Sequence, residues 1–70
     1  MNGDALLIKM SEKRFKMQDL ASFLGVNLST LYRKLNGLSD FTRIEIQNIS
    51  SYLSLTREEI FEIFFAKELA

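Results

Sequence analysis

Two threonines in this chain of 70 residues are each followed three positions later by a glutamate and then by an apolar stripe. Thr42-x-x-Glu45 and Thr56-x-x-Glu59 are capping boxes. In such a box the hydroxyl takes the amide three residues on, and the carboxylate reaches back to the threonine amide. Few arrangements other than a helix start satisfy both groups. After the first box Ile46, Ile49 and Leu53 recur at i, i+3 and i+7, and after the second come Ile60, Ile63 and Phe64. That spacing lines one face of a helix. Similar spacing precedes them. Leu6, Leu7 and Met10 fall on one side of a segment over 3–14, Leu20, Ala21 and Leu24 on one side of 17–24, and Leu31 and Leu35 on one side of 28–36. Gly25 and Gly37 supply stops, Asn27 supplies an N-cap, and residues 38–41 form a loop. The expectation is an all-α fold, a compact bundle of five short helices forming a single domain over 1–70.

Composition narrows the chemistry. A chain this short buries roughly 60% of its unfolded surface, so the core is thin. The sequence has no Cys, no His and only three Gly. It therefore lacks disulfides, thiolate chemistry, the usual zinc ligands and a glycine loop to cradle phosphates. Glu58, Glu59 and Glu62 share one short segment without a histidine and read as solvated charge. No catalytic residue, cofactor, metal or small-molecule ligand is expected. The longest uncharged run, 20–32, is 13 residues and carries Ser22, Asn27, Ser29 and Thr30. A membrane span needs about 20 apolar residues. Asp4 stands where a signal peptide would be positive, so a cytoplasmic protein with no membrane partner is expected.

The net charge is zero but unevenly placed. Residues 1–43 hold seven basic and four acidic side chains, whereas residues 44–70 hold two basic and five acidic. No acid lies between Asp19 and Asp40. A basic N-terminal half with acids set apart suits a nucleic-acid binder.

The stretch 17–32 is the most informative. Two short helical segments meet at a three-residue turn containing Gly25, the build of a helix-turn-helix. Ala21 is small enough for close helix approach, and Val26 and Leu31 seal the angle. The pattern Leu20-Ala21-x-x-x-Gly25-Val26 with Leu31 resembles the Cro and repressor type of helix-turn-helix, a large family of phage and bacterial regulators. The run 31–37, the Phe41-Thr42 step and the terminal Ile60 to Phe65 stretch resemble its small phage-encoded members. The resemblance spans about residues 5–66 and implies the lambda-repressor-like DNA-binding fold.

It also implies a mode of action, a repressor-like regulator whose third segment lies in the major groove of double-stranded operator DNA. With Leu31 and Leu35 buried, a turn of about 100° per residue points Arg33 outward. Ser29 shares that face, and Leu28 and Tyr32 border it. Arg33 is then the candidate for bidentate contact with guanine, and Leu28 and Tyr32 for thymine methyls. Lys16, Gln18, Lys34 and Asn36 are candidates for the phosphate backbone. Family members usually open the second helix with a Thr-Gln pair whose Gln holds a phosphate, whereas Lys16 and Met17 stand here.

The stretch 60–65 carries three Phe. One helix face cannot bury them all beside Ile60 and Ile63, which leaves Phe61 and Phe65 as a candidate protein interface. The partner would be a second copy in a homodimer on DNA. The alternative is a heterodimer with a partner repressor, in which the chain is an antirepressor that blocks DNA binding by its target.

Overall fold

In the computed structural model the residues described are 1–65; residues 66–70, with Lys67 and Glu68 of the charge count over 44–70, lie outside them. Asn2 opens α1 (Gly3–Glu12), its side-chain oxygen accepting the Ala5 amide at 3.1 Å. Then follow α2 (Met17–Leu24), α3 (Leu28–Leu35), α4 (Arg43–Tyr52) and α5 (Arg57–Ile60). The last runs directly into a π-helical turn, Phe61–Phe65. The described residues are all helical or loop, with no strand. Both capping boxes form. The Glu45 amide donates to Thr42 Oγ1 and the Glu59 amide to Thr56 Oγ1, each at 3.1 Å. The return bonds, from the Thr42 and Thr56 amides to the glutamate Oε1 atoms, are each 2.8 Å.

The first four helices end alike. The amides of Phe15, Val26, Leu38 and Leu55 reach back to the carbonyls of Met10, Ala21, Arg33 and Ser50 at 2.9, 3.0, 2.9 and 2.9 Å. Such a bond needs a left-handed residue just before its donor. Gly25 (φ 72°) and Gly37 (φ 79°) fill two of these positions, as their sequence placement implies. Arg14 (φ 61°) and Ser54 (φ 53°) fill the others. Hence α1 stops at Glu12 instead of running to residue 14, and α3 stops at Leu35 with Asn36 as its cap. A β-carbon on Gly25 would meet no atom within 4 Å, so its role is conformational rather than a matter of room.

Leu6, Met10, Leu20, Ala21, Leu31, Ile49, Leu53 and Ile63 are all but fully buried and form the core with Leu35 and Phe64. Two other expectations need correction. Leu7 does not join Leu6 and Met10 but is 39% exposed, because one residue is about 100° of helix. Asn27 occupies the N-cap position of α3, yet its side chain makes no capping bond. Leu24 packs against the core as its spacing from Leu20 implies, half-buried at the edge. The π turn brings adjacent Ile63 and Phe64 inward and leaves Phe61 and Phe65 outside. The Asn2 amide donates to the Ile63 carbonyl at 2.6 Å, which ties the start of the chain to this turn.

Candidate nucleic-acid interface

α2 packs against both α3 and α4. Ala21 has no exposed surface, so its methyl group fills the contact that a longer side chain would hold open. Leu31 and Leu35 on α3 are buried, and this fixes which side of the helix faces out. Ser29, Tyr32, Arg33 and Asn36 are exposed on the other side. Arg33 thus lies where helical arithmetic puts it. α3 itself contains no acidic residue.

Lys16 and Gln18 are exposed at the start of α2. Lys16 sits at the N-cap position, where its ammonium, a donor only, cannot cap the helix amides. The Gln18 amide nitrogen donates weakly to Ser22 Oγ at 3.4 Å, one turn along. Met17, at the place of the family's usual phosphate anchor, is half-buried against the core. Leu28 is also half-buried and packs on the core, so only part of it faces out.

Lys34 departs from expectation. Its Nζ lies 2.7 Å from Glu45 Oε1, with the two side chains only 11% and 15% exposed. The ammonium also donates to the Asp40 carbonyl at 3.3 Å and lies 5.7 Å from the centre of the Phe41 ring. A lysine held this way turns its charge inward, and it does not stand on the outer face with Arg33. Burial pushes the Glu45 carboxyl up, but the hydrogen bonds from Lys34 and Thr42 outweigh it and hold the group below its ordinary value.

A second feature carries no signal in the sequence. Tyr52 on α4 stacks on Phe23 of α2 at 4.3 Å between ring centres and meets Phe15 at 4.8 Å. These residues are 29 and 37 positions from Tyr52, so local spacing could not pair them. Phe61 and Phe65 are 60% and 56% exposed, as expected for side chains one helix face cannot bury. Phe65 borders an apolar hollow that Ile46, Ile60, Arg43 and Gln47 also line.

An exposed guanidinium beside hydroxyls, on a helix free of acids, presents donors to base edges and phosphates. Among the described residues, no group of three or more Asp or Glu is placed to hold a metal ion. No helix among them is long and apolar enough to cross a membrane. The family model for the Cro/C1-type HTH DNA-binding domain matches residues 5–66. No curated protein and no solved structure matches the chain.

Proposed function

Because the chain belongs to the Cro/C1-type HTH DNA-binding domain family, we propose that it is a sequence-specific transcriptional regulator that reads an operator with α3. The observation that carries this reading is the outer face of α3, where Ser29, Tyr32, Arg33 and Asn36 are exposed on a helix without acids. Arg33 offers paired N–H groups to guanine O6 and N7. Tyr32 and the exposed part of Leu28 meet thymine methyls. Lys16, Gln18 and Asn36 hold phosphates and set the register. The protein acts in the cytoplasm, in the manner of a small phage repressor.

A homodimer completes this reading. Two copies joined through Phe61 and Phe65 would set two α3 helices about one DNA turn, 34 Å, apart on a two-fold operator. The exposure of both rings, with Phe65 beside the hollow at Ile46 and Ile60, supports this surface.

A second reading rests on Met17 and Lys34. The first is half-buried where a phosphate anchor usually stands, and the second spends its charge on Glu45. An interface so reduced in polar anchors suits an antirepressor that grips a partner repressor through Tyr32 and the Phe61–Phe65 surface.

Sedimentation and a duplex-binding assay on the same sample separate the two. A homodimer that shifts a selected operator, with Phe65→Glu giving a monomer of weaker binding, is the expected result. A monomer that ignores DNA at low salt but binds a helix-turn-helix repressor tightly would instead establish the antirepressor.

A further inference from the structure

We propose that Lys34 is a positioning residue that, through Glu45, fixes the end of α3 relative to α4 and so the angle at which Arg33 meets DNA. This rests on the reading of α3 as the helix that contacts DNA. Three features of the pair support it. First, the same carboxylate oxygen, Glu45 Oε1, receives the Lys34 ammonium at 2.7 Å and the Thr42 amide at 2.8 Å. The group that starts α4 therefore also holds the last turn of α3. Second, both charges suit their helix ends, a cation in the last turn of α3 and an anion in the first turn of α4. Third, Lys34 donates to the Asp40 carbonyl and its ammonium faces the Phe41 ring, so one side chain fastens the loop between the helices as well.

Arg33 is restrained from two sides as a result. Its own carbonyl accepts the Leu38 amide at 2.9 Å, which closes the end of α3. The next residue ties that end to α4. A phosphate-binding lysine would be exposed and unpaired in the free protein, whereas this one is largely covered. Its contribution to DNA recognition is thus geometric, and that predicts an unusual salt dependence.

The test uses the full chain with Lys34→Met and Glu45→Gln. Glutamine still completes a capping box, so the second variant removes the ion pair while keeping the start of α4. Binding to operator and to random duplex is measured across a range of salt. Each lysine that neutralises a phosphate contributes about −0.9 to the slope of log affinity against log salt. A positioning lysine contributes none. Both variants should lower the preference for operator over random duplex by about tenfold, the order of one lost base contact, with the slope unchanged. Hydrogen exchange on the free variants should show the α3 amides opening about tenfold faster, and those of α1 unaltered. If Lys34→Met flattens the slope by about 0.9 while Glu45→Gln tightens binding, Lys34 is a phosphate contact and the proposal fails. Unchanged exchange in α3 overturns it too. Should the parent protein bind no duplex at low salt, the DNA reading itself fails, and exchange alone decides whether Lys34 pins α3.

Discussion

The α-carbon of Gly3 lies so close to the end of α3 that a β-carbon built on it would stand 2.5 Å from the Leu35 carbonyl oxygen. The first turn of α1 is thus packed directly against the last turn of the helix that carries Arg33. Backbone faces backbone at this contact, so relief requires a whole helix to move. Gly3→Ala should therefore destabilise the protein by about 1–3 kcal/mol of overpacking. Alanine's helix preference offsets up to about 1 kcal/mol of that. The net expectation is a melting temperature lower by several degrees in a circular-dichroism melt. An equal or higher melting temperature would mean that α1 and α3 are not so close.

Arg14 and Ser54 hold left-handed conformations at φ 61° and 53° without being glycine. The left-handed region costs an L-residue about 1–2 kcal/mol, part of which glycine returns as chain entropy in the unfolded state. Arg14→Gly and Ser54→Gly should each raise stability by about 0.5–1 kcal/mol, and any shortfall of the double variant from their sum measures coupling through the Phe15–Tyr52 contact. Gly25→Val should act in the opposite sense despite the open space around it, since valine resists φ 72°. Urea titrations of the four variants give the signs directly.

Acid should weaken the fold in a defined window. The Lys9 ammonium and the Thr56 amide hydrogen-bond Glu59 and draw its carboxyl down from 4.5 to about 2. A carboxyl depressed on folding stabilises the native state above its unfolded value, and this contribution fades as pH falls through the folded value. Melting temperature should accordingly drop between about pH 4.5 and pH 2, with Glu45, also depressed, adding to the fall. Glu59→Gln keeps the capping box but should flatten the decline. Added salt should shrink the effect, because the Lys9–Glu59 pair lies at the surface. A Glu59→Gln profile that parallels the parent's would show that this carboxylate is not tied to Lys9.

How much of this was legible in the sequence depended on range. Thr42 and Glu45, or Thr56 and Glu59, act within one turn, and such local chemistry is written in adjacent letters. The outward face of Arg33 follows from Leu31 and Leu35 two positions to either side. Lys34 shows the limit. Its partner lies 11 residues away across a loop, and a lysine one position past an exposed arginine reads as a phosphate contact. The left-handed turns were legible at Gly25 and Gly37 but not at Arg14 and Ser54. There tertiary packing of Phe15 and Leu55 overrides the residues' own preference. The close approach at Gly3 was likewise invisible, since nothing near it in the sequence points to Leu35.

Whether α3 reads base edges through Arg33 is decided by one titration. Arg33→Ala, which leaves the buried Leu31 and Leu35 untouched, is compared with the parent on an operator and on its single-base variants at fixed salt. The expected result is a loss of about 1–3 kcal/mol on the operator and relaxed preference at one guanine position, with discrimination elsewhere retained. An Arg33→Ala protein that keeps the parent's ranking of every base at every position would contradict it.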